Sequence, residues 1–254
     1  MMTHPLLPKL KELRLSGMLE TLESRAEYAR SKQLSPVEFM ALMVEDEIER
    51  RRQNRLQKRE QEAGFESRKL LSQFDFAAVP TLDRSLVLEM ATCQFIPRRE
   101  NWLIYGPTGI GKSHLATAIG QEAISQGYKV LAGSTHRLLG DLFAARADGS
   151  YPWKMKKIAG MDLLILDDFG LRPVSPAGAE DLYELIQSRY ERRSILLTSN
   201  RAPAEWADLF GDGLLASAAL DRLTHHARVT CITGESYRQR QRRKEAPTEA
   251  TNNP

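Results

Sequence analysis

Eight consecutive residues, Gly106-Pro107-Thr108-Gly109-Ile110-Gly111-Lys112-Ser113, constrain this chain more than any others. They fit G-x-x-x-x-G-K-[ST], the phosphate-binding loop. Three glycines let backbone N–H groups turn inward around an anion, where a Cβ would clash. Lys112 can reach the β- and γ-phosphates of a nucleotide, and the Ser113 hydroxyl suits Mg²⁺. The flanks agree. Trp102 to Tyr105 is a short, apolar, β-prone run, and His114 to Ile119 reads as the start of a helix. Strand, loop and helix N-terminus is the order that phosphate binding needs. The candidate nucleotide-binding set is therefore Gly106, Pro107, Thr108, Gly109, Ile110, Gly111, Lys112, Ser113 and His114.

The 254 residues leave room for one large domain, or for one domain and a small companion. An apolar share of 42% beside 27% charged residues is that of an ordinary globular protein. No apolar run approaches a membrane span and no signal-peptide core is present, so the expected place is the cytoplasm, with no membrane partner. Cys93 and Cys231 are too few and too far apart to suggest a disulfide framework or a metal site. The net charge of +3 says little, but its distribution says more. Arg50, Arg51 and Arg52 open one basic run that continues through Arg55, Lys58 and Arg59. Lys154, Lys156 and Lys157 form a second, and Arg238 to Lys244 a third. Such clusters suit nucleic-acid phosphates, although solvated helix faces also carry them.

Residues 1–68 read as a small N-terminal helical domain. Leu6, Leu10, Leu13, Met18 and Leu22 recur at helical spacing. A further helix has a marked start, with Ser35 as N-cap, Pro36 at N1 and Glu38 closing a capping box. Within it Glu47 stands four residues before Arg51, so ion pairs along the helix offer another account of part of the basic run. Gly64 to Val79 reads as a linker. Residues 69–244 alternate strand and helix signals, with continuous apolar runs at Leu163–Leu166 and Ile195–Leu197 and a β-branched last strand near Val229. Buried parallel strands read this way, which makes the fold class α/β. Residues 245–254 are expected to be disordered.

Three polar ends complete the site. Leu163 to Leu166 runs into Asp167-Asp168. Asp167 would hold the metal together with Ser113, and Asp168 would orient or activate an attacking water. The run Ile195 to Ser199 ends on Asn200, which could bond the water or the γ-phosphate, or simply open the turn before Pro203. Ala216 to Leu223 reads as a helix carrying Arg222, either one half of a surface pair with Asp221 or an arginine offered to a neighbouring subunit. The catalytic candidates are thus Lys112, Asp167, Asp168, Asn200 and Arg222.

As a set these residues resemble the AAA+ ATPases: a Walker A loop at Gly106–Ser113, a Walker B strand ending in Asp167-Asp168, a sensor-1 Asn200 and an arginine finger at Arg222. Phe169-Gly170 after the carboxylates, Arg189-Tyr190-Glu191-Arg192-Arg193, and Thr198-Ser199-Asn200-Arg201 sharpen the resemblance. So do Leu34-Ser35-Pro36-Val37-Glu38-Phe39 with Glu45 and Arg50 to Arg52, and Gln73-Phe74-Asp75-Phe76. They are similar to the IstB family, in the IstB/DnaC-type branch of the initiator clade, which consists of ATP-binding helpers that insertion sequences encode beside their transposase. The resemblance covers nearly the whole chain. It implies a five-stranded parallel-sheet P-loop core, ATP and Mg²⁺ as cofactors, and homo-oligomers assembled on duplex target DNA through mainly backbone contacts. It also implies recruitment of the transposase of the same insertion sequence. A helix pair within Thr135–Lys157 would reach the DNA, bringing Arg137, Lys154, Lys156 and Lys157 to it, with Arg50, Arg51 and Arg52 as further contacts. Arg238 would match a sensor-2 arginine at the nucleotide. Asp168 stands where many AAA+ proteins carry Glu, so a shorter reach and slow turnover are expected. The chain ends soon after Thr233, so no full helical lid is expected. A replicative helicase loader of the DnaC/DnaI type is the alternative, and its core motifs hardly differ.

Overall fold

The computed structural model describes residues 5–234 together with Ser236 and Tyr237. Arg238, the basic residues that follow it and the tail from 245 lie outside the described residues. The chain divides into two compact units, Met1–Arg59 and Glu60–Pro254.

The first unit contains α1 (Leu6–Glu12), α2 (Ser16–Lys32) and most of α3 (Pro36–Ala63). The capping box forms as the sequence predicts. The Ser35 N–H donates to Glu38 Oε2 at 2.7 Å and the Glu38 N–H to Ser35 Oγ at 3.3 Å. Helices α2 and α3 meet at Gly17. A Cβ there would lie 2.6 Å from the Asp46 carbonyl and 2.7 Å from Glu47 Cα, so only glycine allows this approach. The Gly17 N–H donates to the buried Glu47 carboxylate at 2.7 Å, and Arg25 clasps Asp46 through two bonds of 2.8 and 2.6 Å. Burial raises the Glu47 pKa, but the bonds from Arg51, Gly17 and Met18 outweigh it and hold the carboxyl below its ordinary range. The basic run on α3 is engaged with acids: Arg50 with Glu20 at 2.7 Å, Arg51 with Glu47 at 2.7 Å, and Arg52 with Glu49 at 4.0 Å.

The second unit is built on five parallel strands. They are β1 (Asn101–Tyr105), β2 (Val130–Ser134), β3 (Leu163–Phe169), β4 (Ser194–Ser199) and β5 (Ala227–Cys231), in the order β2-β3-β4-β1-β5. The apolar runs noted in the sequence are its middle strands, and Trp102 to Ile104, Leu163 to Leu166 and Ile195 to Leu197 are all buried. They are covered on both faces, as continuous apolar runs require. Leu103, Leu164, Leu166, Ile195 and Leu197 join the core formed by α6 (Thr135–Ala147), α7 (Tyr151–Ala159), α8 (Pro176–Arg189) and α9 (Gly213–His225). On the other face α5 (Lys112–Ser125) packs so closely that a Cβ on Gly120 would lie 2.6 Å from Ile165 Cδ1. A short helix α4 (Arg84–Ala91) precedes β1, with Asp83 as its N-cap.

Residues 64–79, read from the sequence as linker, pack on this sheet unit instead. The Phe65 ring lies against Gly120 and the Phe74 ring against Gly111. Aromatic residues in a polar stretch find apolar cover there that a free linker would deny them. No helix among the described residues is long and apolar enough to cross a membrane.

Candidate nucleotide site

Parallel strands bring all their C-terminal ends to one edge, and ligands bind in α/β sheets at that edge. Here the ends of β1, β3 and β4 carry the phosphate loop, Asp167-Asp168 and Asn200 respectively. They line one open cleft of about 880 Å³, a size that accommodates a nucleotide.

Residues 106–111 turn the chain from β1 into α5. Gly106 takes φ +148°, and a Cβ would fall 1.9 Å from the Ile232 carbonyl oxygen. Gly111 takes φ +98° at the N-cap of α5, where a Cβ would meet the Phe74 ring at 2.9 Å. Neither position can therefore carry a side chain, so the turn needs glycine at both. Lys112 opens α5 and is 5% exposed. Its ammonium donates to the carbonyls of Gly106 at 2.8 Å and Pro107 at 2.7 Å, and to Asn200 Oδ1 at 2.7 Å. Burial pushes its pKa below the usual lysine value, while the Asp168 and Asp167 charges oppose the shift.

Ser113 Oγ donates to Asp167 Oδ1 at 2.9 Å. Two hard oxygen donors thus lie together beside the phosphate loop, a fit for Mg²⁺. Thr198 on β4 donates its hydroxyl to the same Asp167 oxygen and accepts the Asp168 N–H at 3.2 Å. Thr135 Oγ1 holds the Asp167 carbonyl at 3.1 Å. The β3–β4 register slips between Leu166 and Phe169, and Asp168 adopts φ +52°, a left-handed conformation uncommon for a residue with a Cβ. Such conformations persist where the surroundings hold them, as Thr198 does here. His114 faces the Leu70 carbonyl across 3.1 Å and meets the Phe74 ring edge-on at 5.6 Å.

The site brings together Lys112, Ser113, Asp167, Asp168 and Asn200, with the loop residues Thr108 to Gly111 and His114 beside them. Arg137, on α6, also lines this cleft. Lys156 and Lys157 are exposed on α7, and the Lys154 ammonium donates to the Asp141 carbonyl at 3.0 Å. Arg222 lies near the C-terminus of α9, just before β5 begins, and therefore at the opposite edge of the sheet. It donates to the Ala218 carbonyl at 2.7 Å, with its guanidinium 5.7 Å from the Tyr183 ring centroid.

Sequence reasoning missed several contributors. Thr198 and Thr135 fix the Asp167-Asp168 corner, and Phe65, Phe74 and Tyr237 line the cleft. The Tyr237 N–H donates to the Gly109 carbonyl at 2.9 Å. Only Thr198 had a readable signal, a hydroxyl two residues before Asn200 in an apolar strand. The others depend on tertiary packing.

A phosphate loop between β1 and α5, with strand order β2-β3-β4-β1-β5 and an Asp pair on the strand two places away, defines a P-loop ATPase fold of the AAA+ type. Solved structures share this fold. DnaI matches with a TM-score of 0.56 at 22% identity, over 65% of this chain and 92% of its own. A DnaC helicase loader matches with a TM-score of 0.51 at 19% identity, over 59% of this chain and 87% of its own.

The chain belongs to the IstB-like ATP binding protein family, whose model matches residues 8–245. It is 37% identical over 241 residues to an ATP-binding protein of insertion sequence IS21 from Pseudomonas aeruginosa, covering 95% of this chain and 91% of that one. It is 39% identical over 231 residues to its counterpart from insertion sequence IS5376 of Geobacillus stearothermophilus, covering 91% and 92%.

Proposed function

We propose that this protein is a DNA-bound ATPase that assembles on duplex target DNA with ATP and recruits the transposase of its insertion sequence. The observation that carries the enzymatic part is the convergence of Lys112, Ser113, Asp167, Asp168 and Asn200 from three strand ends into one cleft. The kinship with insertion-sequence proteins carries the biological part.

In this reading the loop backbone and Lys112 bind the phosphates, and Lys112 exchanges its carbonyl partners for phosphate oxygens. Ser113 and Asp167 would hold Mg²⁺, which would supply charge neutralisation on the phosphates. Asp168 orients the attacking water and takes its proton. Asn200, already bonded to Lys112, fixes the water or the γ-phosphate. Arg222 serves the cleft of a neighbouring copy, because it stands at the far edge of its own sheet. The exposed lysines of α7 hold DNA phosphates. The N-terminal helical unit is the recruitment module, and the complex works in the cytoplasm. A phosphate-release assay with and without duplex DNA tests the enzymatic part: DNA-stimulated release supports it, and none under either condition refutes it.

The likeness to DnaI and DnaC favours one second reading, a helicase loader. Pull-down of the full chain against the transposase and against a hexameric replicative helicase separates the two.

A further inference from the structure

Three tryptophans occur in the sequence, and two of them, Trp102 and Trp206, are 1% and 0% exposed. The third, Trp153, is 64% exposed. It sits in the first turn of α7, behind Pro152, where Met155 and Ile158 turn the other face of the helix into the core. Helical spacing places Lys156 and Lys157 at i+3 and i+4 from it, on its own face. The Lys157 ammonium lies 5.3 Å from the Trp153 ring centroid. Helix α7 carries three lysines and no acidic residue. The neighbouring α6 leaves a second aromatic, Phe143, 65% exposed.

An exposed ring on a helix of like positive charge has a narrow set of suitable partners. Protein interfaces favour tryptophan but are depleted of lysine, so it is the three lysines around the ring that argue against a protein partner. A base step fits better. Apolar wedges part stacked bases and kink the duplex, while cations on either side hold the phosphates. We propose that Trp153 contacts DNA bases directly, wedging against a base step of the duplex while Lys156 and Lys157 hold the adjoining phosphates. This rests on the DNA-binding part of the function proposed above, and it adds a device for deforming target DNA that lysines alone would not provide.

The buried tryptophans make Trp153 its own reporter. The full chain with ATP is titrated with fluorescein-labelled duplex, following anisotropy for binding, and with unlabelled duplex, following tryptophan emission. Binding should quench the emission and shield it from acrylamide. A duplex carrying 2-aminopurine should brighten as bases unstack, and Trp153→Ala should abolish that brightening. The same variant should weaken binding roughly tenfold on any sequence while leaving the salt dependence unchanged, and Trp153→Phe should retain most of the affinity. Lys156→Ala with Lys157→Ala should instead flatten the salt slope by up to about two units. Binding by anisotropy with unchanged emission and acrylamide access would overturn the proposal and leave DNA binding standing. Emission that changes on ATP-driven self-association without DNA would overturn it in favour of a subunit contact. Absence of any DNA binding would remove both readings.

Discussion

The two edges of the central sheet carry different chemistry. At the C-terminal edge the polar groups are partnered with one another: Lys112 with Asn200, Ser113 and Thr198 with Asp167, and Thr135 with the Asp167 backbone. At the N-terminal edge Arg222, Tyr190, Glu191 and His226 border a small hollow that no phosphate-loop residue lines. Arg222 bonds there to a carbonyl of its own helix. The first edge gathers Lys112, Ser113, Asp167, Asp168 and Asn200 in one cleft. In the proposed assembly the second would offer Arg222 to the cleft of another copy.

Variants can break this contrast. The largest expected effect is that of Arg222→Ala, which should lower kcat by about 10³-fold, as losing an arginine finger does, with ATP affinity changed less than about twofold. Single-turnover hydrolysis alongside equilibrium nucleotide binding checks both numbers, and lost affinity would put Arg222 on the wrong side of the comparison. Lys112→Ala removes a buried cation that the phosphates require, so ATP affinity should fall by about 2–5 kcal/mol, measured by calorimetry. Asp168→Asn should keep ATP affinity and slow hydrolysis by roughly 10²-fold or more. Unchanged turnover would mean that another group positions the water.

Arg189 shows that the N-terminal edge also holds an engaged cation, one that is structural. It stands at the N-terminal edge, fully buried, and donates to the carbonyls of Ile158, Ala159, Met161 and Ser194 at 2.6 to 3.1 Å. Arg189→Leu strands those acceptors and should cost about 3 kcal/mol or more, lowering Tm by roughly 10 °C without a specific loss of ATP affinity. The smallest effect concerns thiols. Burial pushes Cys93 up to about 12, whereas Cys231 is exposed at the C-terminal edge, in register with Tyr105. A thiol reagent near pH 8 should modify one cysteine per folded chain. The raised pKa also stabilises the fold below the ordinary thiol value of 9.0, and that contribution should fade as pH climbs from there toward 12. A Cys93→Ala variant should show a flatter alkaline loss.

Legibility in the sequence followed the range of the physics. The phosphate loop, the capping box at Ser35 and the apolar strands are local patterns, and each could be read directly. Asp167 and Asn200 could be read because strand ends converge in a parallel sheet. Thr135, Phe65 and Phe74 could not, because their roles exist only once the strands have taken their order and residues 64–79 have folded onto the core. Arg189 is the most instructive residue. It belongs to the run Arg189 to Arg193, which in the sequence carried only a family resemblance, and burial and backbone carbonyls make it a tie between the start of β4 and the turn before β3. On α3 the Glu47–Arg51 pair was legible from its spacing, whereas the Arg50–Glu20 pair exists only once α2 packs on α3.

In the proposed assembly one edge serves the other edge of a second copy. Mixing Arg222→Ala with Asp168→Asn subunits in the presence of ATP and duplex DNA tests it most directly. Each variant alone should be nearly inactive. In mixed assemblies an intact Asp168 cleft meets an intact Arg222 from its neighbour, so hydrolysis should return to a substantial fraction of the wild-type rate near equal proportions. Hydrolysis that stays at the level of the separate variants at every mixing ratio would contradict the account.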